Sequence, residues 1–381
     1  MNGEIMSLAP QSAPTLPNGR ELPKILQNKK VLIVVGGGVL IGLGLFAVIM
    51  FGRPDDFASP TPQGGTAEDD MVVNPLNGVK LPLSEREKVL GRRPIVVMVG
   101  NNVDARPPSN ISKADLVYEA VAEGGITRFM PVFLSQEPDK VGPVRSIRAY
   151  FLYWVMELGD AMVMHDGWSS SPVFEASAID LIDTYQVRSL FRGGLYGYRD
   201  TSRDAPNNEY ISLTVAREHG NNLGWEGVRD FTYWKFKEDK NKLYDLKPTA
   251  ADINIVFWTP GDYESRWLYD PEKNLYLKST GGVPHMDLET GQQLSATNVI
   301  VQFAKETSVN DEKNHLLYDN VGSGDGLVFI DGKAIQATWV KNDIRSRTMF
   351  YDLDGEEIKF NRGVIWISVV PDRNKDQVTF N

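Results

Sequence analysis

Gly142-Pro143-Val144-Arg145-Ser146-Ile147-Arg148 is the stretch of this 381-residue chain whose residue types and spacing point most directly to chemistry. Proline suits the first turn of a helix, whose free N–H groups and dipole favour an anion. On such a helix Arg145 and Arg148, three apart, share a face, and Ser146 offers a hydroxyl near the same end. Two guanidiniums can grip a carboxylate or phosphate in bidentate fashion. The competing reading pairs these arginines internally with acidic residues such as Glu119 and Glu123.

Those glutamates form the second candidate. In a hairpin with Gly124-Gly125 as a two-residue loop, Val121 opposes Arg128, and period-two alternation sets Glu119, Glu123 and Arg128 on one face. In a helix the i, i+4 spacing also brings the two glutamates together. Adjacent carboxylates can split their pKa values and divide acid from base roles; an ordinary ion-pair network with Arg128 is the plainer alternative.

The third candidate, His165-Asp166-Gly167-Trp168-Ser169, lies at the expected C-terminal end of a strand, where loops form sites in α/β folds. His165 could shuttle a proton and Trp168 could stack on a sugar; the alternative is a hydrogen-bonded loop histidine. No Gly-x-Ser-x-Gly elbow is present, which argues against a serine hydrolase. The four histidines show no His-Glu-x-x-His spacing and there is no cysteine, so no metal or other cofactor is expected, although His285 and Asp287 could contribute ligands.

The elements that must position these residues read as an α+β fold. An α/β half over residues 81–245 precedes a mainly antiparallel β half over 250–381. In the first half, Pro94 to Gly100 is a buried strand signal, and Leu116 to Leu134 reads as a hairpin about Gly124-Gly125. A helix from the Ser112-x-x-Asp115 capping box to Gly124 competes with the hairpin. Helices are expected from Val144 to Leu158, Pro172 to Ile182 and Ile211 to Gly220, with a strand from Asp160 to His165. In the second half, nine short strands are expected between Ile253 and Val370, Glu357 to Phe360 among them, with hairpin turns at Asp331-Gly332 and Asp354-Gly355. The six tryptophans after residue 220 read mostly as core, with a carbohydrate platform as the sharper alternative.

Before the fold comes a tether. Val31 to Gly52 carries no charge and as a helix spans about 31 Å, the thickness of a bilayer core. It is longer than a signal-peptide core and lacks an adjoining Ala-x-Ala site. Arg20, Lys24, Lys29 and Lys30 precede it, so the positive-inside bias places residues 1–30, a proline-rich disordered tail, in the cytoplasm and everything after Arg53 outside. Residues 53–80 read as a solvated linker. A net charge of −10 disfavours nucleic acid as a partner, and a chain without cysteine must fold without disulfides.

A family resemblance follows from several blocks. Asn102-Val103-Asp104-Ala105-Arg106-Pro107, Ala114 to Glu119, Glu123-Gly124-Gly125-Ile126-Thr127-Arg128-Phe129 and Gly142 to Arg148 resemble the signature of the YerB-like bacterial lipoproteins, a family of unknown function. Asp200, Arg203, Ala205, Pro206 and Asn208 resemble its next block, and Gly282 to Asp287, Asn298 to Val301, Thr348 to Asp352 and Gly363 to Pro371 its closing part. The resemblance implies a bacterial cell-surface protein. This chain lacks the lipidated cysteine, so the membrane segment would do the tethering, and Asn207 stands where the family pattern often has histidine.

The expected role is binding of an anionic or glycan component of the cell envelope, such as a wall polymer. Ligand contacts are expected from Arg106, Arg128, Arg145, Ser146, Arg148, Trp168, Arg203, Asn208, His285 and Asp287. The alternative is a wall-active hydrolase or transferase with Glu119, Glu123 or His165 as acid or base and the arginines as an anion clamp. A scaffold that recruits partner proteins through the β half is a third reading.

Overall fold

Gly124 and Gly125 take positive φ, and the runs on either side fold back as the strands Leu116–Glu123 and Ile126–Phe133, so the hairpin prevails over the helix. The structure, a computed structural model, describes residues 70–191, 197–238 and 247–381. The cytoplasmic tail, the membrane segment and most of the linker expected from the sequence lie outside those residues. Among the described residues, no helix is long and apolar enough to cross a membrane.

The hairpin register differs from the expected one. Glu123 pairs with Ile126, but a bulge at Ala122 then sets Val121 opposite Thr127 and Ala120 opposite Arg128. The extra residue breaks the two-residue alternation. Glu119, Val121, Thr127 and Phe129 therefore share one face, and Arg128 lies on the other.

In chain order the principal strands are β1 Ile95–Val97, β2 Leu116–Glu123, β3 Ile126–Phe133, β4 Met162–Met164, β5 Arg188–Ser189, β6 Asp252–Ile255 and β7 Ser265–Asp270. They continue with β8 Leu275–Thr280, β9 Asn298–Ala304, β10 Gly322–Ile330, β11 Lys333–Lys341, β12 Met349–Tyr351, β13 Ile365–Pro371 and β14 Val378–Phe380. The main sheet runs β12-β11-β10-β9-β13-β2-β3-β1-β4-β5. β13 lies between β9 and β2 and is parallel to both, so the two halves of the sequence share one sheet. β1, β4 and β5 are parallel, whereas β6, β7, β8 and β14 belong to a second, antiparallel sheet.

Each face of the main sheet carries a buried carboxylate. On the face toward the second sheet, Glu119 and Lys278 of β8 are both fully buried and 2.9 Å apart, with Lys278 Nζ 4.8 and 4.9 Å from the ring centres of Trp267 and Trp366. On the opposite face lies the helix Ala149–Met156, buried at every position except Tyr153, as an all-round apolar helix must be. Tyr118 stacks on its Trp154 at 5.3 Å. The following Glu157 meets Lys341 at 2.7 Å and Arg347 at 2.8 Å, all three buried.

That helix starts at Ala149, not Val144. Residues 142–148 are instead extended, because their backbone groups are taken by distant partners. Gly100 N–H donates to Pro143 O, Arg145 N–H to Met98 O, Val144 N–H to Glu209 O and Ile147 N–H to Gly167 O. The helix expected from Pro172 begins only at Ala178, after a 3-10 turn, and Ile211 ends a strand, so Ser212 caps the next helix. Glu357 and Phe360 make single bridges rather than a strand. Residues 70–80, expected as linker, are folded: Met71–Val73 pairs with Lys80–Pro82. Asn74 and Asn77 there donate to the buried Asp115 at 2.8 and 2.9 Å.

Candidate anion-binding site

The extended segment 142–148 crosses the C-terminal ends of the parallel strands, where open α/β sheets place their ligands. The loop after β4 meets it there: Asp166 N–H donates to Arg145 O, Ser169 N–H donates to Ile147 O, and Ser146 Oγ donates to Asp166 O at 2.7 Å. A side chain at Gly167 (φ +85°) would meet Ser146 Oγ at 2.6 Å, so this approach needs glycine.

Three guanidiniums gather on this segment. Arg128, its side chain 4% exposed, reaches from β3 to donate to Ser146 O and lies 3.2 Å from Glu123. Arg148 pairs with the other oxygen of Glu123. Arg145 donates to Asn207 Oδ1 at 2.8 Å. Burial, with the fields of Arg148 and Arg145, lowers the Arg128 pKa to about 9 against the opposing pull of Glu123. Burial alone would raise the Glu123 carboxyl, but Arg128 and Arg148 overcome it and hold it below its usual range. The Glu123 side chain is 45% exposed, and Arg128 Nε is buried without a partner. Arg128 and Arg148 thus share one half-exposed carboxylate, and Arg145 feels the fields of Glu123 and Asp166 without a direct ion pair among the described residues.

His165 sits behind it. Its Nδ1 is 2.8 Å from Gly167 O and its Nε2 2.8 Å from Ser189 Oγ, while its ring stacks on Phe191 and meets Trp168 edge-on. The carbonyl requires the proton on Nδ1, so Ser189 donates to Nε2. This is nucleophile–base spacing, but the third group is a carbonyl and not a carboxylate. Burial lowers the His165 pKa to about 4, so the imidazole is neutral and a poor base at neutral pH.

A pH dependence follows with a definite sign. The unfolded state takes up this proton near pH 6.5 and the folded state only near 4, so stability falls as pH drops between the two. The His165 share of the loss is about 2.5 kcal/mol at pH 4.5. Urea unfolding at pH 7 and 4.5 should therefore show a smaller pH effect in His165→Gln; an equal effect in both proteins would rule out a buried neutral histidine.

The other expected residues lie apart from this cluster. Glu119 does not share a face with Glu123; it accepts from Thr127 Oγ1 at 2.9 Å and Trp366 Nε1 at 3.0 Å besides pairing with Lys278. His285 is buried, 2.8 Å from Thr280 Oγ1. Asp287 accepts the N–H groups of Asn110 and Ser112 at 3.1 and 2.9 Å. Arg106 holds Asn101 and Asp262 O, and Arg203 holds the carbonyls of Ala105 and Pro107. Asn208 accepts from Arg199 at 2.8 Å. The structure thus brings together Glu123, Arg128, Arg145, Ser146 and Arg148, with His165 and Trp168 on the adjoining loop. Sequence reasoning noted Asn207 only as a departure from the family pattern and missed Ser189, the last residue of β5, which no local signal flags.

Comparison with known proteins identifies the family. Residues 82–226 match the family model described as "Protein of unknown function (DUF3048) N-terminal domain", and residues 253–367 match its C-terminal domain. The chain is 33% identical over 322 residues to the "Putative lipoprotein YerB" of Bacillus subtilis (strain 168), covering 80% of this chain and 90% of that protein. The crystal structure of YerB from Bacillus subtilis aligns with a TM-score of 0.70 at 30% identity, over 81% of this chain and 99% of that one. The chain therefore belongs to the DUF3048 family of YerB-like proteins, as the signature blocks around its arginines implied.

Proposed function

We propose that this is a membrane-tethered extracytoplasmic protein that binds an anionic or glycan component of the bacterial cell envelope. The observation that carries the reading is the gathering of Arg128, Arg145 and Arg148 on one segment, two of them paired with the half-exposed Glu123 and the third paired with no carboxylate among the described residues. Arg145 and Arg148 would contact the ligand, Arg128 would add charge from below, and Trp168, 36% exposed, would offer a ring beside them. The tether would be the segment 31–52, whereas the relative is named a putative lipoprotein.

The catalytic alternative has less in its favour. Glu119 is sealed in an ion pair with Lys278. The arginines keep Glu123 ionised, and an ionised carboxylate has no proton to donate.

Retention of the detergent-solubilised chain on purified wall polymer tests the proposal. Arg145→Ala with Arg148→Ala should weaken binding at least tenfold, and added salt should weaken the parent's binding. Glu123→Gln should tighten it about fivefold, because removing one charge at this range is worth roughly 1 kcal/mol. Unchanged retention in the double variant would end the proposal. Product formation by the parent, abolished by Glu119→Gln in a variant that keeps the parent's unfolding midpoint, would favour the enzyme instead.

A further inference from the structure

The described chain enters the fold through a two-stranded ribbon with an apolar outer face. Met71–Val73 pairs with Lys80–Pro82, and Leu83 N–H donates to Asp70 O at 2.7 Å, so Leu83 sits where the chain comes in. Alternation turns Val72 into the core and Met71 and Val73 to solvent, 37% and 43% exposed. Pro82, opposite Met71, is exposed as well, and Leu83 is 46% exposed. Exposed apolar side chains standing singly are ordinary, but an adjoining group marks a surface that something covers. Glu85 and Lys88, on the turns that follow, pair with each other at 2.7 Å, and Arg86 and Glu87 add opposite charges. Charge beside the patch is therefore balanced, and its recognition is apolar. Pro75 extends the surface into a groove that it lines with the half-exposed Val228 and Tyr233.

The sequence before Asp70 indicates what covers this face. Only residues 53–69 separate it from the uncharged segment 31–52. A coil of that length spans about 25 Å. A bilayer holding the segment is thus offered to the ribbon at a raised effective concentration, which lets a patch too small to bind lipid alone act as a second anchor.

The ribbon also lies at a definite end of the sheet. Asn74 and Asn77 hold Asp115, just before β2, and Pro75 lines its groove with Pro94 and Gly159, which precede β1 and β4. The arginine cluster lies at the other ends of these strands. The 8 residues of β2, about 25 Å of strand, run from one end to the other.

We propose that Met71, Val73, Pro82 and Leu83 seat on the outer surface of the bilayer, which turns the arginine site away from the membrane. This rests on the membrane tether of the reading above and not on its ligand.

The chain has no cysteine, so Val73→Cys gives a single attachment point for a fluorescent label. The labelled full chain is reconstituted in phosphatidylcholine nanodiscs containing lipids with a shallow nitroxide. An apolar face settles about 5–10 Å into the head-group boundary, so this label should be quenched about twofold or more. A label at Ser170→Cys, in the loop after β4, should be unaffected. Met71→Glu with Leu83→Glu should abolish quenching at Val73→Cys without moving the unfolding midpoint. Added salt, or phosphatidylglycerol in the nanodisc, should leave quenching unchanged. Co-migration with nanodiscs without quenching overturns docking and leaves the tether standing; loss of co-migration ends both. Equal quenching at the two labelled positions, or quenching that survives the two glutamates, means that the tether alone brings the domain near lipid and also overturns the proposal.

Discussion

Lys278→Met will destabilise the folded protein by about 3–5 kcal/mol, because it leaves the Glu119 carboxylate buried without its cation. Thr127 and Trp366 still donate to Glu119, but they cannot replace a full charge at 2.9 Å in a site shut off from water. The second variant, Lys278→Met with Glu119→Gln, should recover much of the loss, since it removes both charges together. Urea unfolding of the four proteins in the cycle gives the coupling between the residues. A Lys278→Met cost below about 1 kcal/mol would mean that the pair is open to solvent.

The other large effect is expected at Glu157→Gln. Glu157 accepts from Lys341, Arg347, Tyr118 and both the N–H and hydroxyl of Thr348. An amide in its place leaves two buried cations facing a neutral group, a cost again of about 3–5 kcal/mol. For a domain of this size that lowers the melting midpoint by roughly 6–12 °C. Burial would raise the Glu157 carboxyl, but Lys341 and Arg347 together hold it below its usual range. Its stabilisation is therefore present above the unfolded carboxylate pKa and lost as pH falls through the folded value, so the gap between parent and variant should narrow in acid. Calorimetric melts at pH 7 and pH 3 check both the size and the narrowing.

The hairpin was legible because two glycines punctuate two apolar runs of equal length, a signal held within about twenty residues. Its bulge was not, since Ala122 has no property that marks it as the extra residue. At Pro143 the local signal for a helix start was sound, yet Met98, Gly167 and Glu209 claim the backbone groups that a helix would need. Tertiary hydrogen bonds overrode propensity there. Consequently the sequence named the arginines that the structure brings together but not the way they meet: they converge from a strand and an extended segment, not from one helix face. Nothing near Lys278 in the sequence marks it as a buried cation. Its partner lies 159 residues earlier in the chain, and no local pattern carries that information.

The position of β13 has a consequence for how the protein is made. Among the described residues this strand follows every other strand of the main sheet in the chain, yet it fills the middle of that sheet, between β9 and β2. A chain emerging N-terminus first exposes the free edge of β2 until Ile365–Pro371 arrives. Such an edge recruits other strands unless something shields it. The two family segments should therefore be poorly soluble when produced apart and should rescue each other when produced together. The sheet is completed from its centre by the last of its strands to emerge, so a stop anywhere before residue 365 yields a chain that cannot close its core.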